Sequence, residues 1–378
     1  MKIACLSDIT LGYAVPQIEL LTASLARHYA ATEAVVVEPD MKGRRALFAH
    51  DLISLRRFVT RTPPHDPVFH IEYARFIERF LRSFRPDVLI VTNGAVMPGL
   101  LLSGHKPALL IYYMLESLEH QIHGGSLYGD FNDMVQDMVD IVAVPEQRRA
   151  AYDLRTPEWT SKPLVELLNV ASDQGFPPRQ ALAADGPVRF LHAGTINRNT
   201  FCDVLSGLKM DNIRIDMAGP QDDDATRSIV RKGSESGNVT YLGLLPLSRL
   251  HGIVQDYDYR FVLWRPLDFN SFFASPNKLF ESISAGVPPI CTPNPQCADI
   301  IRRYDCGILM EGWENRHLEA AIHYAISIAR TERYQELVRN CYEAVRCELN
   351  WSAQFDKMIP HLPAASALQR ETAVCLPA

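Results

Sequence analysis

No two of the eight cysteines in this 378-residue chain are spaced as a CxxC pair. Cys5, Cys202, Cys291, Cys297, Cys306, Cys341, Cys347 and Cys375 stand singly. The pattern fits neither a zinc ribbon nor a small disulfide framework, and a reducing cytosol is expected. No apolar run reaches the length of about 18 residues that a membrane-spanning helix needs. The opening "MKIACLSD" reads straight into a strand rather than as a basic and apolar leader. Positive charge is in short supply: 38 Lys and Arg stand against 44 Asp and Glu, a net charge of −6, which argues against a nucleic-acid binder. Glycine is missing where a dinucleotide-binding turn would need it. "SDITLGYAVP", after the first strand, has only Gly12, and "HAGTINRNT" has only Gly194, so an oxidoreductase is disfavoured. No His or carboxylate set has convincing metal-ligand spacing. The acidic run in "PQDDDATRS", 220–228, follows a strand glycine and precedes a helix, so it reads as a helix cap, and neither a metal nor a cofactor is expected.

The composition, 47% hydrophobic and 22% charged, is that of an ordinary soluble globular protein. The length fits two domains of roughly 150–200 residues. Short apolar runs alternate with helical periodicity, which predicts parallel α/β layers. Strands are expected at 2–6, 34–38, 87–92, 108–113, 140–144 and 164–167, with helices clearest at 17–28 and 71–84. Residues 171–187, "ASDQGFPPRQALAADGP", break the pattern and read as a linker. The pattern restarts with strands at 188–192, 213–218, 239–242, 260–264, 289–291 and 307–310, and one long helical stretch over 315–349. The tail after Pro360 is aperiodic and is expected to fray. The basic segment 42–61, "KGRRALFAHDLISLRRFVTR", fits a solvated helix face or loop, with contact to an anionic membrane surface as the alternative.

One stretch poses an electrostatic problem. In "SPNKLFESISAGVPPI", 275–290, Ser275 suits an N-cap, Pro276 the first helical position and Gly286 the stop before a strand. A capping box would then put Glu or Gln at the third helical position, where this chain has Lys278. A cation at the positive end of a helix is unfavourable unless an anion arrives. Helix starts bind phosphate readily, so a diphosphate would turn Lys278 into a charge-assisted contact. Leu279, Phe280 and Ile283 form the buried arc, while Lys278 and Glu281 share the other side.

This stretch resembles the retaining nucleotide-sugar glycosyltransferases of family four, whose members often carry P-x-K-x-x-E-x-x-x-x-G-x-P-[VI]-I here. "IDMAGP", "VTYLGLLPLSRL", "CGILMEGWENRHLEAAI" and "ELNWSAQFDKM" are similar to further family pieces, in the family's order. The likeness is good over about 185–360 and only in outline over 1–170. It implies the GT-B fold: two Rossmann-like parallel α/β domains facing each other across a cleft. An acceptor-side domain would span 1–171 and a donor domain 188–349, with 350–361 crossing back to the first. It implies sugar transfer, with retention, from a nucleotide-diphosphate sugar to a hydroxyl on a glycan, a lipid-linked glycan or a small metabolite. The expected place of work is the cytosol, with the inner membrane face as an extension.

The resemblance also assigns candidate residues. Lys278 and Arg198 would meet the diphosphate, and Glu281 the ribose hydroxyls. Gly243 and Leu244 would lie at the nucleobase, and Gly12, Gly194, Ser275, Asn277 and Leu279 elsewhere along the donor. Glu116 and His120, after the "ALLIYYM" strand, would face the acceptor. The chain departs from the family at Phe273, where many members have a second glutamate, so Asn270 and Ser271 are the substitutes for sugar contacts. Two other readings stay open: a nucleotide-sugar epimerase, and a catalytically silent GT-B partner that binds a nucleotide sugar.

Overall fold

The computed structural model describes residues 1–11, 15–40, 50–64, 66–118, 127–171, 176–177, 179, 186–221 and 223–370, apart from the side chains of 127–130 and 369–370. The chain divides into two compact units, Met1–Asn169 with Trp351–Ala378, and Val170–Asn350.

Unit 1 is built on the strands β1 (Lys2–Leu6), β2 (Glu33–Pro39), β3 (Ser54–Phe58), β4 (Val88–Thr92), β5 (Leu109–Tyr113), β6 (Ile141–Val144) and β7 (Leu164–Glu166). They form a seven-stranded parallel sheet in the order β3-β2-β1-β4-β5-β6-β7. β4 and β5, "VLIVT" and "LLIYY", are buried along their whole length, as strands covered on both faces must be. The Pro67–Phe84 helix starts where the Asp66 carboxylate accepts from Val68 N at 2.9 Å. β3 corrects the reading of 42–61 as helix or loop: 54–58 is an edge strand paired with β2. Its Arg57 lies 2.6 Å from the buried Glu38 carboxylate, so that cation is held within the unit.

Unit 2 carries β8 (Val188–Ala193), β9 (Ile213–Ala218), β10 (Val239–Gly243), β11 (Tyr259–Val262), β12 (Pro289–Cys291) and β13 (Ile308–Leu309). The order β10-β9-β8-β11-β12-β13 is the doubly wound arrangement with its first strand in the middle. β11 ends at Val262, which leaves Trp264 in the loop beyond it. The helical stretch expected over 315–349 is two helices, Asn315–Ile328 and Glu332–Cys347, parted where Arg330 takes a left-handed φ of 63°.

The chain then enters unit 1 again. Trp351 is buried and its indole Nε1 donates to Ser24 Oγ at 2.8 Å, while Gln354 Oε1 accepts from Leu168 N at 3.1 Å. The tail does not fray at Pro360: a further helix, Ala365–Arg370, seats Leu368 at 2% exposure. That helix marks the expected end of order as set too early.

Candidate functional site

In each unit the strand order reverses beside the first strand, between β1 and β4 and between β8 and β11. Ligands of doubly wound sheets bind beyond the carboxyl ends of the strands at such a point. In unit 2 the chain leaves β8 through Gly194, which adopts φ +130°. The neighbouring strand end comes very close: a Cβ on Gly219 would lie 1.9 Å from the Gly194 carbonyl oxygen, so only glycine fits at 219. The ladder runs on past the strands, with Gly194 N donating to Ala218 O (2.9 Å) and Gly219 N to Gly243 O (3.0 Å). After β11, Arg265 pins the same turn, its Nε donating to Arg198 O at 3.0 Å and its guanidinium lying 4.0 Å from the Phe201 ring centre.

Lys278 reaches this point. Its Nζ lies 4.9 Å from the centre of the Trp264 ring, just past β11, and 3.8 Å from where a Gly194 Cβ would sit, just past β8. The helix that carries it spans Asn277–Ser284, with Pro276 as N-cap and no side-chain capping bond. The helix therefore starts one residue later than the reading that made Ser275 the cap, and Lys278 occupies the second helical position. Gly286, at φ +67°, closes the far end. Lys278 is 8% exposed, and its ammonium has no hydrogen-bond acceptor among the described residues. A buried charge without a hydrogen-bonded partner is costly, and the Trp264 ring face offsets only part of it.

Burial, and then repulsion from Arg260, push the Lys278 ammonium down to about 8. The folded-state value lies below the ordinary lysine value, so between about pH 8 and 10.5 the unfolded chain binds more protons and this group makes stability rise with pH. A bound anion reverses the shift. Anion affinity is thus expected to fall above about pH 8, with proton uptake on binding there. Calorimetry in buffers of different ionisation enthalpy at pH 8.5 measures that uptake, and Lys278→Met is expected to abolish it. Neighbouring His192 is held neutral, pushed down to about 3 by burial and by Lys278; its Nε2 lies 3.0 Å from Thr195 O. Burial pushes the adjoining Cys202 thiol up to about 11, so neither group competes for the anion.

Glu281, one turn on, is paired through Oε2 at 2.8 Å with Arg260 of β11. The exposed Arg198 sits in the turn after β8. Gly243 ends β10 at φ +82°, and Leu244 beside it is exposed. Asn270 lies in the Phe269–Phe272 helix, where the Ser271 hydroxyl is engaged in a capping box with Asp268. Ser275 and Asn277 flank the Pro276 cap and are partly buried. Leu279 is fully buried and its amide donates to Pro276 O, so neither is offered to a ligand. Phe273 packs its ring 4.9 Å from Phe269 and 4.8 Å from Phe272, an aromatic cluster in place of a carboxylate.

Gly12 and His120 of unit 1 lie outside the described residues, as does Asp222; Asp223 caps the Asp224–Ser236 helix by accepting from Thr226 N at 2.7 Å. Glu116 is placed by Asn93, whose Oδ1 accepts from the amides of Leu115 (2.9 Å) and Glu116 (3.1 Å). Asn93 takes φ 52° to do so, a strained conformation for a residue with a side chain. Its Nδ2 donates to Asp8 Oδ2 at 2.9 Å, and Thr92 Oγ1 donates to Asp8 Oδ1 at 2.9 Å, spanning the reversal between β1 and β4. Burial pushes the Asp8 carboxyl above its ordinary value, and Glu116 adds to the shift. Arg149, almost fully buried, lies 3.6 Å from Glu116. No group of three or more His, Cys, Asp or Glu suited to a metal occurs among the described residues.

No protein-family model and no curated protein matches the chain. Solved structures do. Sucrose-phosphate synthase from Thermosynechococcus elongatus superposes with a TM-score of 0.72 at 16% identity, over 100% of both chains. WaaG, a glycosyltransferase involved in lipopolysaccharide biosynthesis, gives 0.69 at 12% identity, covering 94% of this chain and 99% of its own. HepE from Anabaena, solved with UDP and glucose, gives 0.66 at 13% identity, covering 95% and 98%. The chain has the GT-B fold.

Several residues of the second GT-B unit escaped the reading by motif. Arg260 is an arginine inside an apolar strand, "YDYRFVLW", and that misfit was the available signal. Trp264 and Arg265 follow the same strand, at the end where α/β sheets bind ligands. Asp8 in the first unit has the same signal, a carboxylate just beyond β1.

Proposed function

We propose that this protein is a glycosyltransferase that moves a sugar, with retention, from a nucleotide-diphosphate sugar to an acceptor hydroxyl, after the manner of family four. The observation that carries the reading is the buried Lys278 ammonium, without a hydrogen-bond acceptor among the described residues, at the strand reversal of unit 2. A diphosphate supplies the missing acceptors and restores the charge. Glu281 then receives the ribose hydroxyls, and Arg198 comes to the phosphates from its turn. As the sugar–phosphate bond breaks, negative charge grows on the diphosphate, and the fixed cations stabilise it. The leaving phosphate takes the acceptor proton on the same face, so no covalent nucleophile and no metal is required. Unit 1 serves the acceptor through Glu116 and His120. HepE, solved with UDP and glucose, supports the choice of donor class.

The test is slow donor hydrolysis followed by proton NMR across UDP-, GDP- and ADP-sugars, with and without a chelator. One donor is expected to yield sugar with its anomeric configuration retained, at the same rate in EDTA. Turnover abolished by EDTA and restored by magnesium would overturn the metal-free reading. A second reading, a silent nucleotide-sugar-binding partner, is favoured by Phe273, and tight binding with no turnover of any donor or acceptor would establish it.

A further inference from the structure

Arg260 is 2% exposed, in the strand bordering the reversal of unit 2. Its Nη2 lies 2.8 Å from Glu281 Oε2, while its Nε and Nη1 have no hydrogen-bond partner among the described residues. A guanidinium is strongly disfavoured in such a place, and an apolar residue would serve a sheet core better. The ion pair has a geometric consequence. Glu281 sits on the Asn277–Ser284 helix three residues after Lys278, with a side chain that is 13% exposed. A free glutamate turns about three side-chain torsions; held at Oε2, this one presents its other oxygen, Oε1, in a fixed direction.

We propose that Arg260 is the positioning residue of this site: it orients the Glu281 carboxylate so that the protein selects a ribose bearing both its hydroxyls. The inference rests on the donor reading of Lys278 and Glu281. Arg260 touches no ligand in this scheme: it acts on the ribose through Glu281, while its repulsion of the Lys278 ammonium bears on ribo and deoxy nucleotides alike. Hydroxyl recognition and diphosphate recognition are therefore separable.

The experiment measures affinity for ribonucleoside diphosphates and their 2′-deoxy counterparts (UDP, GDP and ADP against dUDP, dGDP and dADP). Wild-type protein is expected to prefer the ribo form of its best nucleotide by about tenfold or more, the loss expected when a charged acceptor forfeits its hydroxyl donor. Arg260→Met is expected to bring that ratio close to one, any change in the field at Lys278 falling equally on the ribo and deoxy forms. Arg260→Lys, which keeps the charge without the planar fork, should fall between them. Arg260→Met combined with Glu281→Gln should show the same ratio as Glu281→Gln alone. An unchanged ratio in folded Arg260→Met overturns the inference and leaves the donor reading intact. If Arg260→Met does not fold, a wild-type ratio in Arg260→Lys does the same. Equal weakening of ribo and deoxy forms also overturns it. Failure of wild-type protein to bind any of the six nucleotides removes the donor reading first and this inference with it.

Discussion

Replacing Lys278 by methionine is expected to cut sugar transfer by about 10²–10³-fold, the usual result of removing one preorganised group that stabilises leaving-group charge. Nucleoside-diphosphate affinity should fall by about tenfold or more, the loss of a charge-assisted contact. The fold should be untouched. At pH 7 wild-type protein buries a charged ammonium whose proton affinity has already dropped to about 8, so methionine removes a burden and melting should stay level or rise. Opposite signs for activity and stability mark a residue kept for its ligand. Donor turnover and thermal melting on the same preparation read both, and unchanged turnover would remove Lys278 from the machinery.

The second large effect lies far along the chain. Trp351→Ala empties a fully packed position in unit 1 and leaves Ser24 without its indole donor. A cost of about 3–5 kcal/mol is expected, as for other buried tryptophans, out of the 5–15 kcal/mol that typically holds a domain together. Ending the chain at Leu349 also removes the Gln354 contact to Leu168 and the buried Met358 and Leu368, and should unfold unit 1 at ordinary temperature. Denaturant unfolding followed by far-ultraviolet dichroism measures the cost. A truncated chain as stable as the full one would mean that the returning segment contributes nothing.

The central strands were legible because burial on both faces writes them as apolar runs, "VLIVT" and "LLIYY" among them. β3 was not, since an edge strand with one face in water carries arginines that read as surface. The break at Arg330 was hidden because a non-glycine residue holds the left-handed conformation there. Lys278 stood out locally, as a cation where a helix start prefers an anion. Arg260 showed only as a misfit in an apolar strand, and its pairing was hidden, since Glu281 lies on a different element and no short-range pattern joins them. The close approach of Gly219 to Gly194 is likewise tertiary, invisible until two strand ends are laid side by side.

The most direct test is a crystal structure with the nucleoside diphosphate that raises the melting temperature most, since a ligand bound only by the folded state must raise it. The diphosphate is expected within hydrogen-bond distance of Lys278 Nζ, beyond β8 and β11, with the ribose hydroxyls on Glu281. A nucleotide seated elsewhere, with the Lys278 ammonium still lacking an acceptor, would contradict the account.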